Sequence, residues 1–286
     1  MEVRLADCAG FCFGVKRAVD TVYEQLKNGK TIYTYGPIVH NEEVVRELSE
    51  KGVRVLENKE ELKHLKAGEN IPTVIIRAHG VAKEIYDIME ANGLECIDAT
   101  CPFVKKIHRI VELKSNEGYH VIVVGDPKHP EVEGIVGWCP GPVTVLETPD
   151  QAENFVKTEG EKLCIVSQTT YNYNKFQYIV EIFEKKGYND SVVNTICNAT
   201  EERQRSAKTI AADADVMIVI GGKHSSNSRK LYEICQRECE HTYFIQTLDD
   251  LHLDLPKAVR LVGITAGAST PNKLIEEVQN YVRINF

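Results

Sequence analysis

The sequence predicts an α/β protein built on parallel β-sheets, and two patterns in the chain support this fold class. Strand-sized apolar runs recur along the sequence, among them residues 121–124 and 216–220. Each run is followed by a short loop of small or polar residues and then by a helical pattern. Strands that alternate with helices in this way are typical of parallel sheets covered by helices.

Six of these strand-to-helix loops carry side chains that suit an anionic ligand. They follow strands predicted at 31–35, 74–76, 120–124, 163–166, 216–220 and 260–264. Open parallel sheets bind ligands beyond the carboxyl ends of their strands, where these loops lie. Ordinary turns also favour Gly, Ser, Thr and Asn, which is a sufficient explanation for any single loop, but six such loops together favour a binding site. The candidate residues are His40, His79, His129, Glu131, Thr169, Ser225, Ser226, Asn227 and Ser269.

The last of these loops shows why a helix should follow. Thr270 is a suitable N-cap, and Pro271 suits the first helical position. Leu274, Ile275 and Val278 then fall on one face, as expected of a helix that packs against a sheet. The free N–H groups and the positive dipole end at such helix starts favour phosphate.

Composition narrows the class of partner. The chain has 286 residues and a formal net charge of −8 at pH 7. This balance argues against nucleic acid and against an anionic membrane surface, which both require basic surface, but it allows a small anion in a locally positive pocket. No apolar run approaches the roughly 20 residues that cross a bilayer. Residues 1–5 lack a secretory pattern, so a cytoplasmic location is expected.

Three of the nine cysteines lie in similar settings. Cys12, Cys101 and Cys197 each stand in a loop before a helical pattern, at spacings of 89 and 96 residues. This repetition suggests three similar units that each supply one thiolate. Three thiolates leave a fourth position open, either on a catalytic zinc or on one iron of an iron–sulfur cluster. The spacing decides neither the metal nor whether the three cysteines share one.

The other cysteines read mainly as packing residues in a reducing compartment, where disulfides are not expected. Cys164 lies inside a predicted strand, and Cys235 follows the apolar face of a predicted helix. Both are expected to be small buried hydrophobic side chains. No role is assigned to Cys8, Cys96 or Cys139.

Several loops also resemble the motifs of one family, the 4-hydroxy-3-methylbut-2-enyl diphosphate reductases (the IspH/LytB family). The motifs occur in family order from residue 10 to residue 269, and the HPEVEG and SSNS segments are especially specific. They are GFCFGVKRA at 10–18, VHN at 39–41, AHGV at 78–81, DATCP at 98–102, GDPKHPEVEG at 125–134, QTT at 168–170, SSNS at 225–228 and TAGAS at 265–269.

The resemblance implies a fold and a cofactor. The fold is a trefoil of three similar α/β units around a central cluster cavity, each with a mostly parallel sheet flanked by helices. We expect the units at 14–98, at 99–193, and at 194–286 together with 1–13. The implied cofactor is one 4Fe–4S cluster held by Cys12, Cys101 and Cys197. One of its irons is not ligated by cysteine, and loss of that iron would leave a 3Fe–4S cluster.

The resemblance also implies a reaction and a partner. The reaction is the two-electron reductive dehydroxylation of (E)-4-hydroxy-3-methylbut-2-enyl diphosphate to isopentenyl and dimethylallyl diphosphates, the last step of the non-mevalonate isoprenoid pathway. The electrons are expected from a small donor such as ferredoxin or flavodoxin. Some relatives carry a C-terminal RNA-binding-like extension, whereas this chain is expected to comprise the catalytic core alone.

In that reaction Glu131 is expected to donate a proton, with Thr169 connecting it to the substrate hydroxyl and His129 resupplying it. An unperturbed glutamate ionises near pH ~4.3, so its pKa must be raised or the residue must be reprotonated through a relay. None of the expected ligand positions is Lys or Arg, although Lys128 and Lys223 are neighbours, so histidines would provide positive charge and the remaining polar groups hydrogen bonds. The expected diphosphate ligands are His40, His79, His129, Ser225, Ser226, Asn227 and Ser269, with Thr169 at the hydroxyl.

Three alternatives remain open at this level. A quinolinate synthase-like enzyme also joins three α/β units around a three-cysteine cluster, but its substrates are not diphosphates. A non-catalytic cluster carrier would expose its cluster and would not need Glu131 and Thr169 beside it. A zinc-stabilised binding protein would contain zinc instead of iron and sulfide.

Overall fold

The computed structural model describes residues 1–66, 71–188, 190–253 and 258–285; Phe286, the end of the third predicted unit, lies outside them. The predicted fold class is confirmed, since the described strands form three four-stranded sheets and every strand pairing is parallel. Helices flank each sheet.

The strands are short, as is usual for sheets that helices cover. In chain order they are β1 Glu2–Leu5, β2 Ile32–Tyr35, β3 Arg54–Leu56, β4 Thr73–Ile76, β5 Glu95–Asp98, β6 Tyr119–Val124, β7 Val143–Leu146, β8 Lys162–Ser167, β9 Ser191–Val192, β10 Val216–Ile220, β11 Thr242–Ile245 and β12 Leu261–Ala266.

The helices alternate with these strands along the chain. They are α1 Phe13–Lys27, α2 Glu42–Glu50, α3 Lys59–His64, α4 Lys83–Ala91, α5 Pro102–Asn116, α6 Pro130–Val136, α7 Pro149–Asn154, α8 Tyr173–Lys185, α9 Asn198–Asp213, α10 Ser226–Glu238 and α11 Asn272–Asn285.

The three sheets share one topology. Their strand orders are β3-β2-β4-β5, β7-β6-β8-β9 and β11-β10-β12-β1. In the first two sheets, the strand that comes first along the chain lies between the second and the third strands, and the fourth strand lies beside the third. In the last sheet the amino-terminal strand β1 takes the fourth position, because Val3 pairs with Val262 of β12. The chain order therefore reverses between the first and third strands of every sheet.

The chain divides into two compact units. One contains Met1–Lys16, His40–Arg46 and Cys197–Phe286, and thus the sheet of β1, β10, β11 and β12. The other contains Arg17–Val39 and Glu47–Ile196, and thus the two sheets formed by β2 to β9. The expected unit boundaries at residues 14, 99 and 194 stay a prediction.

The sheet centres form the cores. Every residue of β4, β10 and β12 is buried, as expected for parallel strands covered on both faces. Cys164 on β8 and Cys235 on α10 are also fully buried, which confirms them as core residues. In the described ranges, no helix combines the length and apolar character that a membrane crossing requires.

Candidate active site

The common topology places the candidate residues at equivalent points of the three sheets. Ligand sites of parallel sheets form at the switch point, where loops from neighbouring strands leave in opposite directions. Here the loops after the first and third strands flank that point. They carry His40 and His79 in the first sheet, His129, Glu131 and Thr169 in the second, and Ser225, Ser226, Asn227 and Ser269 in the third.

The three candidate cysteines follow the fourth strand of each sheet. Cys12 comes after β1, Cys101 after β5 and Cys197 after β9. Each immediately precedes a helix, namely α1, α5 and α9, and each is partly buried. The similar settings read from the sequence are therefore equivalent topological positions.

A buried hydrogen-bonded pair lies at the switch point of the second sheet. Glu131 is in the first turn of α6, and Thr169 is in the loop after β8. The Thr169 backbone N–H donates to Oε1 of Glu131 over 2.6 Å, and its hydroxyl donates to Oε2 over 2.7 Å. Only 1% of Glu131 is exposed. Both carboxyl oxygens thus contact one residue across neighbouring loops.

Burial sets the acidity of this carboxyl group. Removal from water disfavours the ionised form and raises the pKa of Glu131 to about 7, although the two hydrogen bonds from Thr169 act in the opposite direction. A carboxylic acid with such a pKa holds a substantial protonated fraction at neutral pH. The raised pKa that Glu131 needs in order to donate a proton near neutral pH is therefore present.

His129 shapes the start of the same helix. It is the N-cap of α6, and its Nδ1 accepts the backbone N–H of Glu131 over 3.1 Å. A ring nitrogen that accepts a hydrogen bond carries no proton, so this arrangement assigns the remaining ring proton to Nε2. His129 is thereby placed as a hydrogen-bond donor through Nε2, and the Glu131 carboxyl group is hydrogen-bonded to Thr169. The expected role of His129 in resupplying the proton to Glu131 stays a prediction.

The first sheet brings His79 to the same region of its compact unit. The rings of His79 and His129 meet edge to face, with centroids 5.4 Å apart. Gly80, at φ +71°, turns the chain after His79 in a conformation that side-chain-bearing residues rarely adopt. A Cβ at that position would lie 2.7 Å from His108. Both the turn and its packing therefore require glycine.

The Cys101 loop is fixed by main-chain contacts. The Cys101 N–H donates to the carbonyl of Ala78, the residue before His79, over 2.9 Å. Arg17 donates to the carbonyls of Ala99 and Thr100 at 3.2 and 2.9 Å. Cys101 then serves as the N-cap of α5, which begins with Pro102.

The serine loop after β10 is built around the start of α10. Ser225 caps this helix by accepting the Ser228 N–H, and the hydroxyl of Ser228 donates to that of Ser225 over 3.0 Å. Ser226 and Asn227 therefore belong to the first turn of α10. Asn227 is 4% exposed, and neither amide atom has a hydrogen-bond partner among the described residues.

Ser269 and His40 lie together in the other compact unit. The hydroxyl of Ser269 donates to the His40 carbonyl over 2.9 Å. Gly222 also approaches this carbonyl closely, since a Cβ there would lie 2.7 Å from its oxygen. Thr270 does not cap α11 as predicted; its hydroxyl donates to the carbonyl of Ile220, and the helix starts at Asn272. The loops after β10 and β12 are thus tied together.

Cys12 and Cys197 share a neighbour that the sequence analysis missed. Arg203 on α9 is only 4% exposed, and its positive charge interacts with the thiols of Cys12, Cys8 and Cys197. The Cys12 N–H donates to Ala268 over 3.1 Å. Helical spacing in the sequence could have identified Arg203 as buried, because it lies on the same face of α9 as the buried residues Ala207 and Ile210.

Fold and site together define an α/β protein with a buried acid, polar helix-start loops at its switch points, and one helix-start cysteine for each sheet. The profile of the family described as LytB protein matches residues 3–283. The chain belongs to this family.

Two named relatives are similar to this chain over nearly their whole length. The 4-hydroxy-3-methylbut-2-enyl diphosphate reductase of Caldanaerobacter subterraneus subsp. tengcongensis is 47% identical, over 97% of this chain and 95% of the relative. The protein of the same name from Clostridioides difficile is 44% identical, over 99% of each chain.

Solved structures agree with the fold. The Plasmodium falciparum E-1-hydroxy-2-methyl-but-2-enyl-4-diphosphate reductase matches with a TM-score of 0.89 and 31% identity, over 99% of this chain and 87% of that one. A second structure is titled as (E)-4-hydroxy-3-methyl-but-2-enyl diphosphate reductase, the terminal enzyme of the non-mevalonate pathway. It matches with a TM-score of 0.69 and 42% identity, over 99% and 100% of the two chains.

Proposed function

We propose that this chain reduces (E)-4-hydroxy-3-methylbut-2-enyl diphosphate to isopentenyl and dimethylallyl diphosphates. Two electrons and two protons enter, the carbon–oxygen bond of the terminal hydroxyl breaks, and water leaves. Family membership and the names of relatives at 40–47% identity supply the substrate class. The observation that carries the chemistry is the buried Glu131–Thr169 pair, because loss of water requires a proton at the hydroxyl oxygen.

Glu131 and Thr169 form a route for this proton. While Glu131 is ionised, both Thr169 donors point at its carboxylate. When Glu131 is protonated, its acidic hydrogen can donate to Thr169 Oγ1 across the same 2.7 Å contact. The Thr169 hydroxyl hydrogen is then free to donate to the substrate hydroxyl. Thr169 thus orients the hydroxyl and transfers the proton, and Glu131 supplies it.

Membership of the family implies an iron–sulfur cofactor. We propose that Cys12, Cys101 and Cys197 hold one 4Fe–4S cluster, with one iron not ligated by cysteine. When bound, this cluster supplies the electrons and a Lewis-acidic iron.

The residues present fit such a group. Thiolates are the ligands that iron–sulfur clusters prefer, and all three cysteines precede helices whose free N–H groups favour negative charge. Arg203 adds a buried positive charge beside Cys12 and Cys197.

The diphosphate is assigned to the polar loops. Asn227 supports this assignment, because a buried amide without partners among the described residues gains most from an incoming ligand. Ser226 lies beside it in the first turn of α10, and Ser225 and Ser269 offer hydroxyls on neighbouring loops. We assign the other contacts to His40, His79 and His129. Fixing the diphosphate positions the hydroxyl end of the substrate, which turns binding energy into orientation.

The electron donor is proposed to be a small protein such as ferredoxin or flavodoxin, because the reaction needs two electrons from outside the chain. A cytoplasmic location, without a nucleic-acid or membrane partner, stays a prediction from the sequence.

The experiment is anaerobic purification followed by assays of iron, sulfide and turnover with a reduced dye. Wild type should contain iron and sulfide and should oxidise the dye only when the diphosphate substrate is added. Glu131→Gln should keep the cluster and lose most turnover. Glu133→Gln, which changes an exposed carboxyl two residues further along α6, is the matched control and should behave like wild type.

Three results would contradict the proposal. A zinc-loaded protein without sulfide would remove the cluster, and a loaded protein without substrate-dependent dye oxidation would favour the carrier alternative. Near-normal turnover in Glu131→Gln would remove Glu131 from the proton route. The quinolinate synthase-like alternative loses its basis, because the chain belongs to the LytB family.

A further inference from the structure

Arg203 is a buried cation in an unusual setting. Arginine is seldom fully buried unless a carboxylate pairs with it. Burial disfavours its charge and lowers the pKa of Arg203, while the largest opposing contributions come from cysteine thiols, those of Cys12, Cys8 and Cys197 in that order. Two of these three are the cysteines assigned to the cluster in this compact unit. The positive charge of Arg203 therefore lies near the cysteines that would carry negative charge in the proposed function.

Arg203 ties together two segments of the chain. Its Nη1 group donates to the carbonyls of Cys8 and Ala266, the latter at 3.0 Å. These carbonyls belong to the two chain segments that border Cys12, since the Cys12 N–H bonds to Ala268. The Nε–H is buried and has no acceptor among the described residues. An unsatisfied donor on a buried cation is destabilising, which favours a function that uses this donor.

We propose that Arg203 is a positioning residue that balances the negative charge of Cys12 and Cys197 when they hold the cluster, and that it thereby raises the reduction potential of the cluster. The proposal rests on the proposed function, because it requires a cluster at these cysteines. A fixed positive charge in a dry environment favours the form with more electrons, and hydrogen bonds toward cluster sulfurs act in the same direction. The Nε–H of Arg203, which has no acceptor among the described residues, would be able to make such a hydrogen bond.

A purely structural role is the competing explanation, in which Arg203 only links the Cys8 and Ala266 segments. Charge and linkage can be separated by two substitutions. Arg203→Lys keeps the charge but loses the forked donor geometry, whereas Arg203→Met keeps length and removes the charge. Arg205→Met is the matched control, because it removes an exposed arginine from the same helix and changes net charge equally.

The experiment is an anaerobic redox titration of the loaded full-length variants, monitored by cluster absorbance, together with iron and sulfide content and apoprotein melting temperature. Arg203→Met should shift the reduction equilibrium at least tenfold toward the oxidised form, which for one electron is 59 mV. Arg203→Lys should recover most of that shift, and Arg205→Met should match wild type. If Arg203→Met cannot retain the cluster, retention by Arg203→Lys at a matched apoprotein melting temperature supports the same conclusion.

Other outcomes overturn the proposal. An unchanged potential in Arg203→Met would show that the charge does not act on the cluster. Equal defects in the Lys and Met variants would assign Arg203 to linkage alone. If wild type itself contains no iron and sulfide, the proposed function fails and this inference fails with it. If wild type holds the cluster and turns over normally, the proposed function stands, and the Arg203 variants then test this inference alone.

Discussion

Substitution of Thr169 by valine tests the proton route most directly, because valine has nearly the same shape and lacks only the hydroxyl. The change removes the 2.7 Å hydrogen bond to Oε2 of Glu131 and leaves the 2.6 Å bond from the Thr169 backbone N–H to Oε1. The lost bond stabilises the ionised carboxylate. Its removal must therefore raise the pKa of Glu131 above its present value of about 7.

The size of this shift follows from the strength of the bond. A hydrogen bond to a charged group contributes about 1.5–3 kcal/mol, and one pKa unit corresponds to about 1.4 kcal/mol. The pKa of Glu131 should therefore rise by about one to two units in Thr169→Val. Turnover should fall because the relay hydroxyl is gone, and the alkaline limb of the residual activity should move to higher pH.

The assay is infrared titration of the protonated Glu131 carboxyl band, which is identified by its absence in Glu131→Gln. Thr169→Ser is the control, because it keeps the hydroxyl and should keep the wild-type titration. An unchanged or lowered pKa in Thr169→Val would refute the hydrogen-bond reasoning. If the pKa of Glu131 rises in Thr169→Val but turnover stays at the wild-type level, the hydrogen-bond reasoning holds and Thr169 is not the proton relay.

Three further predictions concern binding and stability. The pKa of Glu131 lies above its ordinary value of 4.5, so burial of the protonated acid stabilises the fold at low pH and this contribution is lost as pH rises through about 7. Glu131→Gln should therefore gain up to about 3 kcal/mol over wild type between pH 5 and pH 8, measured by denaturant unfolding; a gain independent of pH would contradict the assignment. Asn227→Ala should raise the substrate Kd about tenfold or more without destabilising the free protein, measured by calorimetry, and a wild-type Kd would remove Asn227 from the diphosphate site. Trp138→Phe should cost about 1–2 kcal/mol in urea unfolding, because it removes the 2.9 Å indole hydrogen bond to the Val81 carbonyl, and a smaller loss would show that water replaces this bond.

Much of the fold was predictable because parallel α/β units leave a periodic local pattern. Strand-sized apolar runs followed by polar loops gave the order of elements, and the three cysteines repeated at similar intervals. The pairing of β1 with β12 was not visible in that pattern, because the two strands lie at opposite ends of the chain. Local periodicity records which face of a strand is buried and says nothing about its partner.

Some features of the candidate site could also be predicted from local sequence, and others could not. Ser226 and Asn227 were identified from chemical type and position after a strand, and this information is local. Asn227 is buried without a hydrogen-bond partner among the described residues, and this property is not local, since burial depends on packing by residues distant along the chain. Arg203 was overlooked because arginine is usually a surface residue, although its spacing from Ala207 placed it on the buried face of α9.

By itself, the sequence determined the repeating units, the polar loops at their strand ends and the cysteine that precedes one helix in each unit. These features depend on residue type and on spacing along the chain. Only the tertiary structure decided how acidic Glu131 is and which charge accompanies Cys12 and Cys197. The physical reason is that a pKa depends on the loss of water around a group and on the charges near it, and residues distant in sequence supply both.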